Sequence, residues 1–95
     1  MSFQPSGRVV VTGLGAVTPL GLSVDEFWPR MLAGESGIGS VTLMDTTEYP
    51  TKIAAEVKDF DASVYVDKKE ARRIDRFMAF AVAASQMALD DAQFP

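Results

Sequence analysis

Residues 9–21 read VVVTGLGAVTPLG, three consecutive valines that run into two glycines one residue apart. The unbroken β-branched run predicts a strand from about Arg8 to Leu14, apolar on both faces as in a parallel sheet with helices on either side. A strand that ends in Gly-x-Gly is also how a dinucleotide-binding loop begins, with backbone N–H groups approaching a pyrophosphate at a helix N-terminus. The spacing argues against that loop. Its fingerprint needs a third glycine or alanine three residues after the second glycine, where this chain has Thr18 followed by Pro19. Proline disfavours a helical conformation in the residue before it, so the chain cannot run straight from Gly15 into a phosphate-capping helix. The glycines need another explanation.

Around this stretch lies a chain of 95 residues, enough for one small domain. An apolar fraction of 47% with 23% charged residues describes a globular chain rather than a disordered one. There is no cysteine and no histidine. The chain therefore has no thiolate nucleophile, no disulfide, and none of the side chain most used for proton transfer and zinc binding. No Gly-x-Ser-x-Gly elbow or base placed to activate a serine takes their place. No apolar run reaches the roughly 18–20 residues of a membrane span, and the opening MSFQPSGR lacks the regions of a signal peptide, which together read as cytoplasmic. No cofactor or metal is expected.

Further along, Ser23 and Glu26 have the spacing of a capping box, Phe27, Met31 and Leu32 supply an apolar face, and Gly34 is a natural stop, so a helix is expected there. Pro29 requires that helix to begin nearer Asp25 or to kink. The alternation in TKIAAEVK, residues 51–58, predicts a strand with one wetter face. Asp67 and Asp75 are helix-start candidates. A long helix follows from about Arg76 to Ala92, free of proline and glycine and rich in alanine. Its apolar residues spread around most of the circumference, which predicts burial on several sides. Trp28, Phe77 and Phe80 are expected in the core, and Asp90 and Asp91 at a solvated helix end. The chain reaches Pro95 before a second parallel strand, so a larger α/β architecture is expected, with residues 1–95 as an incomplete part of its N-terminal domain. The alternative is a small autonomous domain that completes its core by self-association.

Charge is concentrated in residues 68–76, KKEARRIDR, where Lys68, Lys69, Arg72, Arg73 and Arg76 face only Glu70 and Asp75. On a helix Lys69, Arg72 and Arg73 point to one side. By itself such a run reads as a solvated face. It can also steer and orient an acidic partner. Nucleic acid is a poor candidate, since the pI is about 4.6 and no aromatic-basic pattern is present.

In one order and spacing, VVVTGLGAVTPLG, FWPRMLAGESGI, YPTKIAAEVKDFD and DKKEARRIDRFMAF resemble the start of a β-ketoacyl-(acyl carrier protein) synthase, most closely the type II enzymes. The resemblance implies a thiolase-like fold of five αβαβα layers in which the glycines are structural. It implies chain elongation by decarboxylative Claisen condensation with a malonyl group held on acyl carrier protein, performed by one cysteine and two histidines. Those residues would lie beyond Pro95, so the 95 residues alone are expected to be inactive. The K-E-x-R-R positions of such enzymes dock the acidic helix of the carrier. That role carries over to Lys69, Arg72 and Arg73, with Lys68 and Arg76 added by charge and proximity. A homodimer is implied as well. A non-catalytic partner of the chain-length-factor kind, sharing the fold without the nucleophile, is the competing expectation, and a small carrier-binding module is another.

Overall fold

A computed structural model describes residues 7–95; the polar opening up to Ser6 lies outside the described residues. In order, the elements are α1 (Val24–Leu32), β1 (Ile38–Ser40), β2 (Ile53–Ala55), a 3-10 turn (Ala62–Val64), α2 (Lys68–Ala71) and α3 (Arg76–Asp91). No helix among the described residues is long and apolar enough to cross a membrane.

Residues 13–15 pass along α3 with no gap between the two backbones. A Cβ on Gly13 would lie 2.6 Å from the Ala92 nitrogen and also collide with the Ala88 carbonyl. On Gly15 it would lie 2.9 Å from the Ala88 nitrogen and collide with the Ala84 carbonyl. Ala84, Ala88 and Ala92 recur every four residues and so form one stripe on α3. The glycines thus let two backbones meet, and Leu14 N–H closes the seam by donating to the Asp91 carboxylate at 2.9 Å. Asp91 is not merely a solvated helix end, as the sequence suggested; the Asp90 carboxylate accepts from Gln86 of its own helix, at 2.9 Å.

Beyond Gly15 the chain turns instead of entering a helix. Thr18 and Gly21 exchange backbone hydrogen bonds at 2.9 and 3.2 Å around Pro19 and Leu20. Pro19 presets the backbone angle such a turn needs at its second position. The Arg30 guanidinium donates to the Leu20 carbonyl at 2.6 Å, tying the turn to α1.

The capping box at α1 forms in a shifted version: Ser23 Oγ accepts from Glu26 N–H at 3.2 Å, while the Glu26 carboxylate reaches back to Leu22 N–H at 2.7 Å. The helix therefore starts at Val24 and runs through Pro29. Pro29 leaves the Asp25 carbonyl without its helical donor, yet its own carbonyl accepts from Ala33 at 3.0 Å. Gly34, at φ 75°, ends the helix, with Gly34 N–H bonded to Met31 and Glu35 N–H to Arg30. This is a Schellman cap. Gln93, at φ 55°, forms the same cap on α3, bonding Asp90 while Phe94 bonds Leu89.

Three expectations need correction. Among the described residues the valine run belongs to no ladder; the sheet that forms is instead an antiparallel pair, β1 on β2, with Gly39 opposite Ala54. The strand expected over 51–58 shrinks to Ile53–Ala55, all three exposed, because β1 begins at Ile38 opposite Ala55 and so offers residues 56–58 no partner, while at the loop end only Val41 N–H still donates, to the Lys52 carbonyl at 2.9 Å. Trp28 and Phe77 stand 50% and 69% exposed rather than in a core, and only Phe80 is half-buried. The reason is common to all three. Ala79 and Ala83 are the buried hydrophobic residues of the described chain, while Val9, Val10 and Val11 face solvent, so one layer of helix lies against one extended segment with no further layer over either. The radius of gyration, 17.3 Å, accordingly exceeds the roughly 12–13 Å of a closed domain of this length.

Candidate functional site

The five basic residues do not share one helix. Lys68 and Lys69 lie in the single turn of α2; Arg72 caps it in a right-handed helical conformation, and Arg73 and Ile74 return hydrogen bonds to the Glu70 carbonyl at 2.9 and 3.2 Å. Helical geometry therefore persists just past Ala71, and the i, i+3, i+4 relation among Lys69, Arg72 and Arg73 survives in outline. All five side chains are exposed. Asp67 and Asp75 occupy the two N-cap positions, yet neither side chain makes a capping bond.

Beneath α2 the 3-10 turn supplies a floor. Asp61 caps it, accepting from Ser63 N–H at 2.9 Å and from Ser63 Oγ at 2.6 Å. The Ser63 hydroxyl, then its amide, then the charge of Lys68 hold the Asp61 carboxyl below the ordinary carboxylate range. Lys68 and Arg72, one helical turn apart, flank the shallow groove between Ser63 and Ala71. The surface is thus an exposed cationic ridge whose base is oriented by a hydrogen-bonded turn.

Arg76 differs from the other four. It opens α3, where a cation is disfavoured by the helix dipole. Its guanidinium offsets this by donating to the Val57 carbonyl at 2.8 Å and lying 4.9 Å from the centre of the Phe80 ring. Phe80 meets Phe60 edge-on at 4.9 Å, and Phe60 stacks on Tyr65 at 6.0 Å, three residues before α2. One residue before Val57, the buried Glu56 carboxylate accepts from Thr42 N–H at 3.1 Å, Thr42 Oγ1 at 2.8 Å and Leu43 N–H at 3.1 Å. The Thr42 hydroxyl first, and the two amides and Lys58 after it, hold Glu56 below the usual range against the opposing effect of burial. Sequence reasoning assigned Glu56 to the wet face of a strand and missed this clamp; its partners lie 13 and 14 residues away, and no local spacing encodes them.

The sequence profile described as "Beta-ketoacyl synthase, N-terminal domain" matches residues 6–95. The chain belongs to the β-ketoacyl synthase family. Within that family it is 50% identical over 86 residues to the 3-oxoacyl-(acyl-carrier-protein) synthase 2 of Synechocystis, covering 90% of this chain and 21% of that protein. It is 46% identical over 85 residues to the enzyme of the same name in Coxiella burnetii, covering 90% and 20%. Among solved structures, the ishigamide ketosynthase/chain length factor superposes with a TM-score of 0.83 at 34% identity, over 90% of this chain and 21% of that one. The chain spans about a fifth of the length of the synthases it matches. The fold is thus the opening part of the thiolase-like α/β architecture of these synthases.

Proposed function

We propose that these residues belong to a 3-oxoacyl-(acyl carrier protein) synthase of type 2, which extends acyl chains by two carbons through decarboxylative condensation with malonyl-acyl carrier protein. The observation that carries this is the 50% identity, sustained over nine-tenths of the chain, to a protein of that name. Residues 1–95 hold no cysteine or histidine, so the acyl thioester and the stabilisation of the carbanion need groups outside them. The part these residues play is to build the first strand and helix of the scaffold and to present Lys69, Arg72 and Arg73, with Lys68 beside them, to the acidic carrier. Their exposure and shared side support that role, since charge complementarity steers encounter and fixes orientation. A cytoplasmic homodimer is part of the same proposal.

The test is to isolate the natural protein and incubate it with acyl- and malonyl-carrier protein. A mass several times 10.3 kDa with a product two carbons longer is expected; a mass of 10.3 kDa without condensation overturns the assignment. In that protein, reversing Arg72 and Arg73 to Glu is expected to weaken carrier binding about tenfold or more at low salt and less at high salt, where screening shortens the reach of exposed charges. Unchanged affinity with folding intact removes the docking role. The similarity to a ketosynthase/chain length factor favours one second reading, a non-catalytic partner subunit of the same fold. A residue other than cysteine at the nucleophile position, with no condensation until a catalytic subunit is added, would select it.

A further inference from the structure

Arg76 is continuous in sequence with the basic run, but its guanidinium is engaged on both of its useful sides. One edge donates to the Val57 carbonyl at 2.8 Å, and one face lies against Phe80 at 4.9 Å. From Phe80 the contacts continue through Phe60 to Tyr65, so Arg76 joins the exit of β2, the start of α3 and the approach to α2. On the far side of Val57, Glu56 fastens the same stretch of chain to Thr42 and Leu43. The basic segment Lys68–Ile74 is thereby suspended between Tyr65 and Arg76, both of which end on one aromatic group.

We propose that Arg76 is a positioning residue that sets the orientation of the Lys68–Ile74 segment on the hairpin, and that it does not itself contact the acidic partner. The functional consequence rests on the docking role proposed above; the geometric part does not. An arginine is required because its planar fork can lie flat on a ring while an edge nitrogen donates to a carbonyl, whereas a lysine ammonium is a compact point charge that cannot do both.

The experiment uses the complete synthase with Arg76→Lys, Arg76→Gln and Phe80→Leu, the last removing the platform without touching charge. Amide hydrogen exchange is followed at Arg73 and Ile74, whose N–H groups bond Glu70, and carrier binding is measured across a salt series. All three variants are expected to accelerate exchange across residues 68–74, to weaken binding about three- to tenfold, as loss of one charge-assisted hydrogen bond or ring contact would, and to leave the salt dependence of binding as in the parent. A contact role for Arg76 predicts the opposite pattern: full binding in Arg76→Lys, a shallower salt dependence in Arg76→Gln and no effect of Phe80→Leu. That pattern overturns the inference, as does exchange that rises equally throughout the protein. If Arg72 and Arg73 prove irrelevant to binding while exchange still quickens locally, the docking role fails and the positioning role stands. If Arg76→Gln does not fold, Arg76→Lys and Phe80→Leu carry the comparison.

Discussion

The seam between Gly13–Gly15 and α3 and the clamp between Val57 and the start of α3 join the same helix to the rest of the chain by opposite means. At the seam, side chains are removed: two glycines face Ala84, Ala88 and Ala92, and backbone approaches backbone. At the clamp, long polar side chains bridge the distance, with Glu56 reaching Thr42 and Leu43 and Arg76 reaching Val57. The Leu14–Asp91 bond at its edge apart, the seam is a steric contact that tolerates no added volume and is indifferent to salt and protons, whereas a polar contact tolerates volume and responds to both.

Substitution at the seam should have the largest effect. Gly15→Ala places a methyl group into the α3 backbone and is expected to cost about 3 kcal/mol, read from urea or thermal unfolding, because overpacking against main chain cannot be relieved by a rotamer change. A loss under about 1 kcal/mol would mean that the seam can open, and that the contrast with the clamp is one of degree.

Glu56→Gln addresses the clamp. Folding holds the Glu56 carboxyl below its ordinary value of 4.5, so between the folded and unfolded values the unfolded chain binds more protons and stability rises with pH. The contribution is fully present above about 4.5 and is lost as pH falls through the lowered folded value. Glu56→Gln is therefore expected to flatten the acid limb of the stability profile and to expose the Thr42 and Leu43 amides to exchange at neutral pH. An unchanged acid limb would assign that limb to other carboxylates, Asp45 and Asp61 among them, which are lowered by Thr47 and Ser63.

The smallest effect is expected beside the seam. Gln93 holds φ at 55°, which glycine adopts without a Cβ penalty, so Gln93→Gly should stabilise by about 0.5–1 kcal/mol in the same unfolding assay. Destabilisation would show that the Gln93 side chain contributes more than its backbone costs.

What could be read from the sequence divides along the same line. The capping box at Ser23, the stop at Gly34 and the extent of α3 were legible because each is encoded within a few neighbouring residues. The failed fingerprint spacing at Gly13 and Gly15 excluded a nucleotide loop, their structural role was what the family resemblance implied, and an alanine every fourth residue from Ala84 to Ala92 was the available sign of where they would dock. Glu56, Arg76 and Asp91 could not be read, since each side chain bonds a backbone group 13 to 77 residues away that looks the same in every residue type. The basic ridge was legible as charge but not as shape. Asp75 marked the start of a separate helix at Arg76, but nothing in KKEARRIDR announces that α2 stops at Ala71. The burial of Trp28 and Phe77 was misjudged for a different reason, because helical spacing reports which face is apolar and not whether another layer covers it.

The absence of side chains at the seam also limits what this part of the protein can become. Most interior sites can drift through a series of similar residues, each slightly larger or smaller than the last, while neighbours adjust. Gly13 and Gly15 have no smaller residue to move to, and the next larger one meets main chain rather than a movable side chain. A variant with a side chain there must shift the whole of α3 in the same event, so the distance between this strand and this helix cannot change by single steps.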